Sequence, residues 1–176
     1  MNPIEILFRL LLSASSTILL LSIYWVNSKT YIEFLGKNLS IALYLLLPVL
    51  LTGLVLLFSK SLTKDDFQEG DTIEIENVNH QFLPSYLGYF FVSSSISNNT
   101  EVISTVYTIL FLFTFISQSF YFNPIFMLFG YSFYQVKLKN GMKVILISKQ
   151  KFKVAKDVKI PVAYKVNSFT FIDGGS

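Results

Sequence analysis

The sequence predicts an α+β membrane protein with about four transmembrane helices followed by a small antiparallel β module. Three observations carry that reading. The 176 residues are 52% hydrophobic and only 14% charged, with a mean hydropathy of +0.54, too apolar for a soluble domain of this length. The earlier part of the chain holds apolar runs of the ~20 residues that a helix needs to cross ~30 Å of hydrocarbon. Beyond Tyr131 the pattern changes to short alternating stretches separated by turn residues. Cysteine is absent, which excludes disulfides, thiolate metal sites and thiol nucleophiles.

The first span is expected at about 4–26. It is longer than the apolar core of a signal peptide, and no small-residue cleavage site follows Ser22-Ile-Tyr-Trp25, so it reads as a helix that stays. Ser13, Ser16 and Thr17 share one face by the i, i+3, i+4 rule, and small hydroxyl residues let helices approach closely in lipid. Tyr24 and Trp25 are its interfacial anchors. The second span, about 39–59, carries Pro48 near its centre, where a lost backbone hydrogen bond bends the helix. A fixed bend that shapes the bundle is the plainer reading of Pro48, and a hinge the sharper one.

Residues 60–81 form the first aqueous segment, with six of the eleven acidic residues between Asp65 and Glu76. Within it a strand at 72–78 alternates Ile73 and Ile75 with Glu74 and Glu76. A lone strand cannot bury its isoleucines, so it is expected to join a sheet supplied from elsewhere. The third span, 82–98, is the shortest, because Ser93, Ser94 and Ser95 limit its apolar length. The fourth, 101–121, stops before Asn123-Pro124, since the residue preceding proline avoids helical geometry.

These spans make up a transmembrane domain, 1–124, and leave a β module at 125–176. Gly130 is expected to turn the chain at the end of the apolar stretch Ile125-Phe-Met-Leu-Phe-Gly-Tyr131. Asn140-Gly141 then predicts a hairpin with a two-residue type I′ turn, in a register that opposes Val136 to Ile145 and Tyr134 to Ile147. Two more strands are expected at Lys159–Val166 and Ser168–Ile172, with Pro161 making the earlier one an edge or a strand start. A tiny barrel or curled sheet results, which the 72–78 strand can join.

Charge orients the chain. Nine of the fourteen Lys and Arg residues lie after residue 136, and short cytoplasmic loops are richer in Lys and Arg than external ones. Four spans with a cytoplasmic amino terminus put eleven basic residues inside and two outside. Both termini are therefore expected in the cytoplasm.

Catalytic chemistry finds little support. His80 is the sole histidine and has no metal-binding spacing around it, so it reads as a polar residue at headgroup depth. Asp65-Asp66 and Glu74/Glu76 read as a solvated acidic face, and no phosphate-binding loop or nucleophile motif stands in a credible context. No charged residue lies deep inside a predicted span, where charges would mark an ion path. No catalytic residue, cofactor or metal is expected. The binding candidates are Lys149, Lys151, Lys153, Lys156 and Lys159, a cluster suited to anionic lipid or to an acidic partner. Their plainer roles are topological retention and pairing with the acids of Asp65 to Glu76. Sequence-specific nucleic-acid binding is not expected, because no recognition helix or aromatic-basic platform accompanies the lysines.

The stretch Asn123-Pro-Ile-Phe-Met-Leu-Phe-Gly-Tyr-Ser-Phe-Tyr-Gln-Val136, with Lys139-Asn-Gly141 after it and four short spans before it, resembles the membrane component of the Kiwa anti-phage defence system. The local likeness covers about residues 120–150, and the rest agrees in layout. The resemblance implies a bacterial inner-membrane, oligomeric protein that detects phage infection and works with a cytosolic DNA-binding partner. It carries over no catalytic residue. The function expected is thus a non-enzymatic sensor or scaffold that forms a homo-oligomer, such as a tetramer, and recruits a soluble effector. The competing expectation is a pore-forming effector or a small transporter or channel.

Overall fold

The apolar runs fold into four helices, α1 (Pro3–Asn27), α2 (Gly36–Ser59), α3 (Leu83–Ser95) and α4 (Thr100–Ser117), and a single turn of helix, α5 (Ile125–Leu128), follows them. The structure is a computed structural model that describes residues 3–68, 70–96, 98–117 and 123–175. Three helices, Glu5–Asn27 of α1, α2 and α4, are long and apolar enough to cross a membrane. Of the four expected spans the third, α3, is the short one. Its 13 residues measure about 20 Å at 1.5 Å per residue, short of the hydrocarbon thickness, because the serines from Ser93 onward end the apolar run. Residues 118–121, the end of the expected fourth span, lie outside the described residues.

The chain forms two units, and neither is continuous in sequence. One comprises Arg9–Val55 and Phe82–Ile125, the other Met1–Phe8, Leu56–Gln81 and Phe126–Ser176. The acidic 60–81 segment therefore groups with the β module, and the expected boundary at 124/125 lies one residue from one of several places where the chain passes between units, 125/126.

In the helical unit, Leu20 and Tyr24 of α1 and Ile103 of α4 form a buried cluster with Tyr89 and Val92 of α3 packed against it. Trp25 lies against the Tyr44 ring at a centroid distance of 5.1 Å, which joins α1 to α2, and the Tyr44 hydroxyl donates to the Thr30 carbonyl at 2.9 Å. Along α2, Ser40, Tyr44, Pro48, Thr52 and Val55 recur at helical spacing and are buried, while Leu45, Leu46, Leu50 and Leu54 are exposed. Small and polar residues thus mark the packed face and leucines the outer one, the arrangement of a helix whose surroundings are as apolar as its surface.

The second unit is built on a six-stranded sheet in the order β1-β5-β6-β4-β3-β2. The strands are β1 (Lys64–Phe67), β2 (Thr72–Asn77), β3 (Ser132–Leu138), β4 (Lys143–Ser148), β5 (Ile160–Asn167) and β6 (Thr170–Asp173). An all-antiparallel module is corrected to a mixed sheet, since β4 and β6 pair in parallel. The edge strands β1 and β2 are neighbours in sequence. The five steps from Phe67 to Thr72 reach at most about 18 Å, whereas a flat sheet of six strands sets its outer strands about 24 Å apart. The sheet must curl toward a barrel. Its interior holds Phe67, Tyr134, Val136, Val144, Leu146, Val158, Ile160, Ala163 and Phe171, with the Phe67 and Phe171 rings edge to face at 5.2 Å. A 3-10 turn, Ala155–Asp157, lies against β2 and shields an otherwise open edge.

Two further expectations are corrected here. The β3–β4 register opposes Val136 to Val144 and Tyr134 to Leu146, one residue from the predicted pairing. The loop has three residues rather than two: Gly141 N–H bonds the Leu138 carbonyl at 2.9 Å and Leu138 N–H bonds Met142 O at 2.9 Å, with Gly141 at φ +82°. This is a type I turn closed by a left-handed glycine in a bulge, the other common use of Asn-Gly. In β2 the register shifts between Thr72 and Glu74, so Thr72 is buried and Ile73 is 56% exposed, while Ile75 packs on the core. A bulge takes one residue out of the alternation, and the predicted inward pair Ile73/Ile75 becomes Thr72/Ile75.

Nothing lies within 4 Å of a Cβ built on Gly141, so Gly141→Ala should lose only backbone energy, about 1–2 kcal/mol for a left-handed residue. Chemical denaturation of the detergent-solubilised protein, followed by loss of β-sheet circular dichroism, measures it. Unchanged stability would contradict the three-residue loop.

Candidate functional site

Polar groups are scarce among these apolar helices, and most that are buried are paired, the Ser13 hydroxyl being an exception among the described residues. Most hydroxyls of α1 fold back on their own helix: Ser16 donates to the Leu12 carbonyl at 2.8 Å and Thr17 to that of Ser13 at 2.9 Å, satisfying a donor that lipid cannot. Ser13, Ser16 and Thr17 are all buried. Tyr86 of α3 donates to the Ser16 carbonyl at 3.4 Å, which brings α3 onto this face. Ser93 reaches the Leu20 carbonyl at 2.8 Å, a second α1–α3 tie.

The densest polar knot forms around Asn123, which is fully buried. Its amide nitrogen donates to the Ser15 carbonyl at 3.1 Å and to the Thr52 hydroxyl at 2.9 Å. Its carbonyl oxygen accepts from Ile125 N–H at 3.0 Å and shares the single Tyr86 hydroxyl proton with the Ser16 carbonyl, each at 3.4 Å. All four hydrogen-bonding positions of the amide are used. One side chain thus ties α1, α2 and α3 and caps the first residue of α5. Thr52 in turn donates to the Pro48 carbonyl at 2.8 Å, so buried Pro48 belongs to the same network, and α2 runs through it as helix.

Past Pro124, α5 ends on a hydrogen-bonded turn. Gly130 N–H bonds Met127 O at 3.0 Å and Tyr131 N–H bonds Phe126 O at 3.1 Å, with Gly130 at φ +82°. That pair of bonds is the Schellman motif, whose left-handed position favours glycine. Phe126 packs edge-on against Tyr131 and Phe133, at 6.1 and 5.8 Å. Tyr131 is partly buried, and burial first, then the Asp173 carboxylate and Tyr164, raise its phenol above the ordinary value of 10.0. It is a neutral ring with a cation above it: Lys149 Nζ lies 5.0 Å from its centroid, within cation–π range.

Lys149, Lys151, Lys153, Lys156 and Lys159 are exposed along the link from β4 to β5. Among the described residues none of them forms an ion pair with an acid; the pair present joins Lys137 to Glu74 at 3.5 Å. Turn residues Asn140 and Gly141 lie at the other end of β4, beside a groove of about 290 Å³ lined by Asp65, Asp66, Asp71 and Lys139 over Phe67, Leu138 and Phe171. His80 is exposed in the 3-10 turn Asn79–Phe82. No three His, Asp or Glu side chains converge as a metal site among the described residues.

Sequence reasoning picked out Asn123 as a chain break and missed its partners Ser15, Thr52 and Tyr86. A usable signal existed in α2, where Ser40, Tyr44, Pro48 and Thr52 are the non-leucine positions at i, i+4 in a leucine-rich run. It also missed Asp173, buried at the end of β6, which accepts from the Ser148 hydroxyl and from Gly175 N–H.

Three helices apolar and long enough to span a bilayer, a buried amide knot and a curled sheet that carries an exposed lysine row define an α+β protein with the makings of a membrane protein. The sequence model of the family described as anti-phage protein KwaA matches residues 8–172, nearly the whole chain, and the chain belongs to that family. Its role accordingly lies in phage defence. Comparison with curated proteins and with solved structures gives no match.

Asn123→Ala should leave a cavity and the buried Ile125 N–H unpaired, for about 2 kcal/mol of lost stability. Asn123→Asp should be worse, since it removes both donors and turns a charge toward the Ser15 carbonyl. Trp25, the sole tryptophan, lies in the helical unit, so its emission during thermal unfolding reports the loss; melting as for the unaltered protein would show that the knot is not stabilising.

Proposed function

We propose that this chain is a non-enzymatic membrane scaffold of phage defence, a homo-oligomer that senses infection and recruits a soluble, DNA-binding effector through its sheet unit. Family membership over residues 8–172 carries the defence part. The scaffold part is favoured by what the polar groups are: an internally bonded amide knot that holds the helices together, and a groove and an exposed lysine row suited to binding. Self-association is favoured by α4. It is the least covered of the long helices, with 6% of its window buried, yet it exposes Ser104, Thr105 and Thr108 together with Ile109, Leu112 and Phe113.

The membrane placement we infer is the bacterial inner membrane with both termini in the cytoplasm. Strands β1 and β2 precede α3 and α4, strands β3 to β6 follow them, and all belong to one hydrogen-bonded sheet. A bilayer cannot divide such a sheet. Residues 82–125 therefore return to the side they left, and α3 completes the crossing that α4 makes, as a short or partly immersed segment. The lysines of the β4–β5 link then favour the cytoplasm for that side.

Because the chain has no cysteine, single introduced thiols report this topology. Lys37→Cys and Asn98→Cys should react with an impermeant maleimide in intact cells, and Lys151→Cys only after lysis; labelling of Lys151→Cys in intact cells would overturn the orientation. Recruitment is tested by co-expression with a candidate soluble DNA-binding effector. It should sediment with membranes, and Val136→Asp, which buries a charge in the barrel interior, should release it while the helices remain inserted. Retention despite that change would reject the sheet as the recruiting unit, and ion flux from liposomes holding this chain alone would favour the pore reading.

A further inference from the structure

We propose that the β4–β5 link, together with Tyr131 and the exposed end of α5, forms a face of the sheet unit that docks on anionic phospholipid headgroups. The inference rests on the membrane reading above and adds a ligand to it.

Charge on the link is concentrated and uncompensated. Five lysines stand against Asp157 alone between residues 149 and 159, and none of the five pairs with an acid among the described residues. Folding has not spent these cations on the acids of β1 and β2. In the middle of the row Val154 is 54% exposed, an apolar side chain between Lys153 and Lys156 with nothing soluble to hide it. A second group of residues meets the row at its first lysine. Lys149 Nζ stands over the Tyr131 ring, and three residues before Tyr131 comes Leu128, 74% exposed, beside Met127, 41% exposed. Apolar tips, an aromatic ring and a lysine in succession are the sequence of contacts found on passing from acyl chain through headgroup to water.

The covalent chain favours a lipid occupant over a free anion. Only Lys60–Thr63 separate the end of α2 from β1, so the sheet begins within about 18 Å of a candidate span's end. A tethered surface meets headgroups at high effective concentration. Each lysine near an anionic surface contributes about a fivefold factor, equivalent to ~1 kcal/mol. The acidic groove opens by Asn140, at the opposite end of β4 from Lys149, and would be repelled by the same surface. Binding through the lysine face therefore orients the sheet and leaves the groove toward water.

The test uses the full chain in nanodiscs of phosphatidylcholine, with or without phosphatidylglycerol. Gln150→Cys carries an environment-sensitive fluorophore, and flotation of the discs reports insertion separately. Phosphatidylglycerol should shift the emission to the blue, the shift should vanish at ~1 M salt, where screening shrinks to ~3 Å, and each Lys→Glu change at 151, 153 or 156 should lower the docked-to-free ratio about fivefold or more. The triple Lys→Arg variant should retain the shift, which separates charge from misfolding. Equal emission in both discs, or a shift that survives triple reversal, overturns the proposal. Loss of effector binding on triple reversal without any lipid dependence also overturns it and assigns the row to a protein. Failure of the chain to enter discs would instead overturn the membrane reading.

Discussion

The constraint on which the rest depends is the pairing of β2 with β3 and of β1 with β5. Strands from the acidic segment and from the basic tail become the two flanks of one sheet, and four residues between β1 and β2 force its curl. The barrel interior exists only because of that closure. Phe67 and Ile75, each from a strand with little apolar surface, then have a core to enter. The same pairing makes the segment holding α3 and α4 an excursion that begins and ends at the sheet. A 13-residue α3 is tolerable in that setting, since it need not stand alone in lipid: Tyr89 and Val92 pack on α1 and α4, and the Ser93 hydroxyl is bonded to Leu20.

What the sequence made legible was set by how local the signal was. The long helices followed from apolar length, and the strands β2 to β6 from alternation. β1 was illegible because Lys64-Asp65-Asp66 has no alternation at all; it is a strand because β5 offers it an edge, and its charges suit an edge that must not recruit another chain. The hairpin register turned on one residue, for Asn-Gly serves both a two-residue turn and a three-residue bulged one, and only the burial of Val136 opposite Val144 and of Phe133 opposite Ile147 separates them. Ile73 misled for a similar reason. Its bulge depends on Lys139 N–H reaching the Asp71 carbonyl at 3.0 Å, a contact 68 residues away in sequence.

The site divides along the same line. Asn123 was visible because proline follows it, and proline stops helices for a local reason. Its partners are 108, 71 and 37 residues away, and no periodicity encodes such distances. The lysine row was visible as composition, yet composition could not say whether the acids of β1 and β2 would neutralise it. Glu74 pairs with Lys137, and among the described residues no acid of β1 or β2 pairs with the row.

An amide rather than a charge at the centre of the helical unit has a physical logic. An ionised side chain there would face a desolvation penalty of several kcal/mol unless fully paired, and it would respond to pH. Asn123 offers two donors and two acceptors without charge, and the surrounding fold presents a matching carbonyl, hydroxyls and backbone N–H. Saturation makes the knot directional: a small rotation of α1, α2 or α3 breaks at least one bond and leaves a buried polar group unmatched. Since the acceptor oxygen also holds Ile125 N–H, the backbone leaving the helices for α5 is set by the same side chain that registers the three helices. A neutral knot shared by three helices is therefore either bonded or broken, with little between the two.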